Sequence, residues 1–213
     1  MKIDGDFGPA TEAAVKAFQT QRQLPATGVV DAITFERLVA PMRAALAPLA
    51  PQGRSRGQLA VAYTHQHLRQ HPREIGGQNK GPWVRLYMAG HEGTEWAWCA
   101  GFACFCLTQA CQSLGMSLPI EPSFSCDSLA ASAKEHGVLR QAPSAADRTD
   151  ITPGSFFLVR RTSTDWTHTG IVVQAERESF TTVEGNTNDD GNREGYEVCA
   201  RTRGYANIDF VCV

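Results

Sequence analysis

The sequence lacks any run of about 18 consecutive apolar residues, the length that a membrane-spanning helix needs. Its first residues contain no basic stretch followed by an apolar segment, which is the pattern of a secretory signal. An excess of one charge is also missing, because 20 basic and 22 acidic side chains give a net charge of -2. Nucleic-acid binding is normally accompanied by a basic surface. We therefore expect neither a membrane span nor a nucleic-acid partner.

Motifs that bind metal ions are equally scarce. Cys104 and Cys106 are two positions apart, and no C-x-x-C pair of the kind found in zinc sites occurs. The stretch 186–192 is rich in side-chain oxygens but lacks the twelve-position calcium loop that ends in Glu. We expect no metal and no cofactor. The chain does contain seven cysteines, an odd number that leaves at least one thiol unpaired or paired between chains.

Cys99 is the most informative of these cysteines, because it opens an apolar run with helical spacing. The residues of this run that share one helix face are Cys99, Phe102, Ala103, Cys106 and Ala110. A thiol at a helix N-terminus faces unpaired N–H groups and the positive end of the helix dipole, which lower its pKa and favour the nucleophilic thiolate. The sequence thus predicts a nucleophile at Cys99, and a buried structural thiol is the alternative.

Three short segments after this helix are rich in β-branched or aromatic residues and predict strands: 155–159, 169–173 and 180–183. His168 immediately precedes the second segment, and Glu184 stands at the end of the third. We expect His168 to take the proton of Cys99 and Glu184 to orient the imidazole. Nucleophile, base and orienting group are the parts of covalent acyl transfer.

Two of these roles have alternatives. Asn186 or Asp165 could orient the imidazole in place of Glu184, and His91, in a glycine-rich loop, is the alternative base. Three further histidines are expected to form a solvated face on and after a helix predicted for residues 58–68: His65, His67 and His71.

Four motifs stand in a fixed order along the chain: Trp98–Phe102, Thr152–Phe157, His168–Val172 and Glu184–Asn186. They resemble those of the CHAP family, the cysteine- and histidine-dependent amidohydrolases and peptidases of the papain-like superfamily that cut peptidoglycan. The resemblance covers about residues 57–213. It implies an α+β, papain-like catalytic domain with an antiparallel sheet packed on the nucleophile helix. The catalytic residues that it implies are Cys99, His168, Glu184 and Asn186.

The same resemblance suggests where substrate would bind. Residues 77–82, which include Asn79, look like a substrate-side loop of some family members. Trp96, Trp98 and Trp166 flank the reactive residues, and aromatic walls suit a glycopeptide groove. We assign substrate binding to Asn79, Trp98 and Trp166, with a core position for at least one tryptophan as the alternative.

The N-terminal residues predict two short helices. Pro9 suits the first turn of a helix that continues through residues 12–19, and Asp31 is a plausible N-cap for a second helix over 32–39.

The runs Asp4–Thr11 and Ala14–Gln19 resemble the small helical peptidoglycan-binding domain of many wall hydrolases. We assign wall binding to Asp4, Phe7 and Thr11. That domain usually has a further helix before the position of Asp4, so the module resembles a truncated one, and a longer native N-terminus that has been cut off is one explanation.

The stretch 41–57 is rich in proline and glycine and predicts a short helix that gives way to a linker, with the boundary near residue 53. The expected organisation is a wall-binding module in 1–40, a linker in 41–57 and a catalytic domain in 58–213.

The two resemblances together imply an endolysin-like peptidoglycan amide hydrolase that lyses cell walls, with bacterial peptidoglycan as its partner. An N-acetylmuramoyl-L-alanine amidase is the favoured activity. The alternatives are an endopeptidase of the stem peptide or cross-bridge, a protein-directed cysteine hydrolase and a non-catalytic wall-binding protein. Without a visible signal, the protein would be made in the cytoplasm. It would reach the wall by holin-mediated release or through a secretion system, and a cognate immunity protein is expected in the second case.

Overall fold

The structure is a computed structural model that describes residues 5–188 and 195–213, without the side chains of Asp147 and Thr149. Asp4, one of the residues assigned to wall binding, and residues 189–192 of the oxygen-rich stretch lie outside the described residues. The chain divides into two compact units, one ending at Ala47 and the other beginning at Pro48.

The first unit contains two helices, α1 (Pro9–Gln21) and α2 (Ala32–Leu46). Pro9 begins α1, and the Asp31 carboxylate accepts a hydrogen bond of 2.7 Å from the N–H of Thr34 at the start of α2. Both predicted helix starts are therefore confirmed.

Helix α2 is longer than the predicted 32–39, because it continues through Pro41 to Leu46. A proline inside a helix removes one backbone hydrogen bond, but the residues that follow Pro41 are good helix formers and restore the ladder. The non-helical stretch between the units is therefore shorter than the predicted linker, since the next helix begins at Arg56.

A buried glutamine connects the parts of the first unit. The Gln19 amide nitrogen donates to the carbonyl of Val29 at 2.9 Å and lies 3.1 Å from the Thr34 hydroxyl, and its oxygen accepts from the N–H of Gly28 at 2.9 Å. Large apolar side chains of this unit remain more than half exposed, namely Phe7, Val29, Ile33 and Phe35. Since so small a unit buries little apolar surface, these polar contacts carry much of its internal order.

The second unit combines helices with one sheet. Its helices are α3 (Arg56–Leu68), α4 (Pro82–Tyr87), α5 (Cys99–Leu114) and α6 (Cys126–Glu135), with a 3-10 turn at Asp147–Asp150. Its strands are β1 (Leu139–Arg140), β2 (Phe156–Thr162), β3 (Asp165–Ala175), β4 (Ser179–Thr187), β5 (Glu197–Gly204) and β6 (Ile208–Val211).

The strands form one sheet in the order β1-β6-β2-β3-β4-β5, and neighbouring strands in this order are antiparallel. The expected α+β class with an antiparallel sheet is confirmed. Helix α5 begins at Cys99 as predicted and packs on β3 and β4. In the described part of the chain, no helix is both long enough and apolar enough to cross a membrane.

The predicted strands correspond to β2, β3 and β4, and all three extend further than the sequence pattern indicated. Pairing between β2 and β3 continues to Thr162 opposite Asp165, so His168 lies inside a strand and not before it. Glu184 is likewise inside β4, which continues to Thr187. Strand ends are set by backbone pairing with a neighbour, which the local composition does not specify.

His67 lies in the core between α3, α4 and α5. Its side chain is fully buried, with Nδ1 2.9 Å from the Tyr87 hydroxyl and Nε2 2.8 Å from Oε1 of Gln109. The prediction of a solvent-facing His67 is wrong, because both ring nitrogens find partners inside the protein. Burial lowers the pKa of His67 to about 4, against a smaller upward effect of the Gln109 hydrogen bond.

This depressed pKa makes the free energy of unfolding depend on pH. Between pH 6.5 and 4 the unfolded chain binds a proton at His67 and the folded chain does not. We therefore expect the free energy of unfolding to fall as the pH is lowered from 6.5 to 4, and His67 to account for about 3 kcal/mol of that fall. Urea unfolding measured across that range should show a flatter pH dependence for His67→Gln than for the wild type. The exposed His71→Gln is the control, and equal slopes for wild type and His67→Gln would contradict the assignment.

Candidate active site

The three residues predicted to carry the chemistry are brought together by α5, β3 and β4. Cys99 is the first residue of α5, His168 is in β3 and Glu184 is in β4, and all three side chains are buried. Gly185 allows the close approach of β4 to α5, since a Cβ atom there would lie only 2.7 Å from the Cβ of Phe102.

Glu184 is the hydrogen-bond partner of His168. Its Oε2 lies 2.8 Å from Nε2 of the imidazole. The other ring nitrogen, Nδ1, is buried and is bonded to no oxygen or nitrogen of the described residues. The carboxylate thus fixes the ring and leaves Nδ1 as the nitrogen that can act on the Cys99 thiol.

Arg203 of β5 clamps the same carboxylate. Its Nε donates to Oε1 of Glu184 and one terminal nitrogen donates to Oε2, both at 2.6 Å, while the Thr182 hydroxyl donates to Oε1 at 2.6 Å. Burial by itself raises the pKa of Glu184, but the hydrogen bonds and positive charges of Arg203 and His168 outweigh it and lower the pKa to about 2. Glu184 is therefore a carboxylate at any physiological pH.

A glycine makes room for this carboxylate on the sheet. A Cβ atom on Gly170 of β3 would lie 2.8 Å from Cγ of Glu184 and 2.9 Å from a ring carbon of Phe157. Phe157 pairs with Gly170 in the ladder, and its ring carries the Arg203 guanidinium at 4.9 Å from the ring centroid. The absence of a side chain at Gly170 lets Glu184 lie across the strand toward His168.

The site stabilises the thiolate of Cys99. The largest influence on its pKa is a hydrogen bond from the Cys126 thiol; burial acts in the opposite direction, and the charge and N–H of His168 lower the pKa further. The net result is a pKa of Cys99 well below its ordinary value. Burial lowers the pKa of His168, but the charge and hydrogen bonds of Cys99 and Glu184 raise it to about 9. These opposite shifts favour a thiolate on Cys99 beside an imidazolium on His168.

The second thiol is held in place by its own helix. Cys126 is the first residue of α6, and the next residue, Asp127, accepts a 2.7 Å hydrogen bond from the N–H of Trp166 in β3. The Cys104 thiol of α5 donates to the carbonyl of Ser123 at 3.5 Å. These contacts fix the start of α6 against the elements that carry Cys99 and His168.

The alternative orienting and basic residues have other partners. Asp165 accepts a 2.6 Å hydrogen bond from Arg161, and His91 stacks on Trp96 with a centroid distance of 4.2 Å. Asn186 is buried at a positive φ of 55°, and its Oδ1 has no hydrogen-bond partner among the described residues. Among these candidates, Glu184 is the one whose side chain is hydrogen-bonded to the imidazole.

The residues assigned to substrate binding have structural contacts. Trp98 is fully buried, donates to Glu74 at 2.9 Å and stacks on Tyr87, so packing replaces the expected substrate contact. Asn79 is also buried, and its amide lies 3.3 Å from the carbonyl of Thr94. Trp166 is partly buried, and its indole N–H donates to Asp209 at 2.8 Å.

Two of the three residues assigned to wall binding are described. Phe7 is 59% exposed and precedes α1, whereas Thr11 lies in the first turn of α1 and is partly buried.

Sequence reasoning missed Arg203, Thr182 and Cys126. Thr182 had a local signal, because it lies two residues before Glu184 on the same strand and so faces the same side. Arg203 and Cys126 had none, since their contacts depend on strand pairing and helix packing between distant parts of the chain.

Comparison with known proteins finds a similarity in the first unit. Residues 2–38 match the family model described as "Putative peptidoglycan binding domain". No curated protein and no solved structure matches the chain. The match supports a peptidoglycan-acting, cell-wall-associated protein with peptidoglycan as a partner.

The contact between Cys126 and Cys99 makes a prediction about thiol reactivity. Alkylation of Cys99 by iodoacetamide, followed by peptide mass spectrometry, should show thiolate reactivity well below the pH at which ordinary thiols ionise. Cys126→Ala removes the donor and should move the midpoint of the pH profile upward by about one unit, since a hydrogen bond to a charge contributes about 1.5 kcal/mol or more.

Two variants control this measurement. Cys126→Ser keeps a donor and should move the midpoint less, and Cys111→Ala removes a thiol elsewhere on α5 and should leave it unchanged. The hydrogen bond would be refuted by an unchanged midpoint in Cys126→Ala.

Arg203 should be required for stability, because its removal takes away a positive charge and two hydrogen bonds from the buried carboxylate of Glu184. We expect Arg203→Met to lower the free energy of unfolding by about 3 kcal/mol, and Arg203→Lys to lower it by less because the charge is kept without the two-pronged contact. Urea denaturation provides the measurement. Arg177→Met, which removes an exposed arginine paired with Glu178, is the matched control and should have little effect. Similar losses for the Arg203→Met and Arg177→Met variants would contradict the clamp.

Proposed function

We propose that the protein is a peptidoglycan hydrolase whose second unit is a CHAP-like cysteine hydrolase with a Cys99–His168–Glu184 triad. The favoured activity is that of an N-acetylmuramoyl-L-alanine amidase. The observation that carries the proposal is a thiol with a depressed pKa at a helix start, beside a histidine that a buried carboxylate orients. The peptidoglycan-binding match of the first unit supports the choice of substrate.

The chemistry follows from the protonation states of the site. The Cys99 thiolate attacks the carbonyl carbon of the scissile amide and forms a tetrahedral intermediate. His168, which holds a proton at Nδ1, transfers it to the leaving amine as the carbon–nitrogen bond breaks, and a thioester remains on Cys99. Water then attacks the thioester with His168 as the base, which releases the carboxylic acid and restores the thiolate–imidazolium pair.

Backbone and buried charges would support these steps. The N–H of Cys99 at the start of α5 is a suitable donor to the oxyanion of the tetrahedral intermediate. Glu184 keeps the imidazole oriented through both proton transfers, and Arg203 keeps Glu184 ionised. Because Glu184 remains charged, it stabilises the imidazolium whenever His168 carries both protons.

Digestion of purified peptidoglycan, followed by mass spectrometry of the soluble products, tests the proposal. The wild type should release stem peptides with a free L-alanine amine and leave intact glycan strands. Cys99→Ala should release nothing while remaining folded by circular dichroism, because a small apolar side chain replaces the thiol.

Cys111→Ala is the matched control and should retain wild-type products, since Cys111 lies away from the triad on the same helix. If the products are instead shortened stem peptides still attached to muramic acid, the activity is that of an endopeptidase and not of an amidase. Release of soluble products by Cys99→Ala at the wild-type rate would show that Cys99 is not the nucleophile. If the wild type releases no products, the proposal of a hydrolase is refuted.

A further inference from the structure

Three aromatic side chains form a cluster that the triad does not use. The rings of His91 and Trp96 are stacked, with centroids 4.2 Å apart and planes inclined by 13°. The Phe124 ring stands edge-on to both, at 6.4 Å from His91 and 6.2 Å from Trp96. His91 and Phe124 are exposed and Trp96 is partly exposed, so the cluster presents aromatic surface to solvent. We call these three residues the aromatic platform.

The aromatic platform lies beside the nucleophile. Trp96 is three residues before Cys99, a separation of at most about 11 Å along an extended chain. Phe124 is two residues before Cys126, at most about 7 Å along an extended chain, and Cys126 is close enough to Cys99 to lower the pKa of its thiol. Trp96 and Phe124 are thus each within three residues of one of the two active-site cysteines, Cys99 and Cys126.

The loop that carries Trp96 and His91 is held in one conformation. Glu92 accepts hydrogen bonds from the N–H of Gly81 at 2.8 Å and from Arg85 at 2.6 Å. The N–H of Gly93 donates to the carbonyl of Asn79 at 2.7 Å, and the N–H of Trp96 donates to Gly93 at 2.8 Å. A surface that is ordered before binding loses less conformational entropy when a ligand arrives.

The aromatic rings of the platform suit the sugars of peptidoglycan better than its stem peptides. Stem peptides are built from alanine, an acidic residue and a diamino acid, so their apolar groups are no larger than short alkyl chains. A sugar ring offers a flat face of C–H groups, which suits the negative face of an aromatic ring. Ligand sites commonly combine aromatic side chains with a few polar groups that fix the orientation of the ligand.

We propose that His91, Trp96 and Phe124 form a subsite that stacks on a sugar ring of the glycan strand during cleavage. This inference rests on the proposed function. In the muramoyl-L-alanine linkage the scissile carbonyl carbon lies about 4 Å from the sugar ring, across one ether oxygen and one carbon. Bonds further along the stem are separated from any sugar by whole residues. A sugar subsite this close to Cys99 therefore selects the muramoyl amide over peptide bonds of the stem.

Two soluble substrates that share the scissile amide test the subsite. One is a disaccharide-peptide, and the other is the corresponding lactyl-peptide without its sugars. For Trp96→Ala we expect kcat/KM on the disaccharide-peptide to fall about tenfold, mainly through KM, with no change on the lactyl-peptide. His91→Ala, at an exposed position, should cause a smaller loss of the same kind. Tyr196→Ala removes an exposed aromatic ring outside the platform and should change neither value.

Equal losses by Trp96→Ala on both substrates would overturn the subsite, because Trp96 would then act on the nucleophile or the fold. Unchanged values on both substrates would also overturn it.

A binding measurement separates failure of the subsite from failure of the proposed function. In the Cys99→Ala background, calorimetric titration with the peptide-free disaccharide should show weaker binding when Trp96→Ala is added, whether or not the wild type cleaves the amide. Binding that Trp96→Ala leaves unchanged refutes the subsite alone. If Trp96→Ala weakens binding of the disaccharide but the wild type does not cleave the muramoyl amide, the amidase activity is refuted and the sugar subsite is retained.

Discussion

The buried carboxylate of Glu184 is the constraint on which the second unit depends. An ionised carboxylate removed from water is strongly unfavourable unless opposite charge and hydrogen bonds surround it. Glu184 satisfies this requirement with Arg203 from β5, His168 from β3 and Thr182 from its own strand. The antiparallel register of β3, β4 and β5 is therefore tied to the site, since a one-residue slip would turn one of these partners to the other face of the sheet.

The cost of burying charge also explains how the two neighbouring thiols, Cys99 and Cys126, take different protonation states. Cys99 and Cys126 each begin a helix, and each is buried. Two thiolates in contact would repel each other in a poorly hydrated site, so ionisation of one suppresses ionisation of the other. The imidazolium of His168 selects Cys99 as the charged partner, and the hydrogen bond to Cys99 together with burial raises the pKa of Cys126. Cys126 is thereby kept as a donor.

Local sequence signals predicted the parts of the site that depend on one element at a time. The period of the run after Cys99 predicted α5, and the composition around His168 and Glu184 predicted β3 and β4. Contacts made across the fold carried no such signal. Arg203 is 19 residues from Glu184 and meets it only through the pairing of β4 with β5. Trp98 reads as a groove residue beside the nucleophile, yet the stacking of Tyr87 from α4 buries it completely.

The two units have complementary requirements under the proposed function. A wall-binding unit that shares a chain with the hydrolase keeps the substrate at a high effective concentration, so the aromatic platform needs only modest affinity for a sugar ring. Strong ground-state binding there would slow release of the glycan strand without lowering the barrier to amide cleavage. A stack of the exposed His91 on the partly exposed Trp96 fits that requirement better than a deep pocket, because it can orient the strand from the protein surface. The energetically demanding interactions can then be confined to the triad, where the charges of Cys99 and His168 change during the reaction and that of Glu184 stays constant.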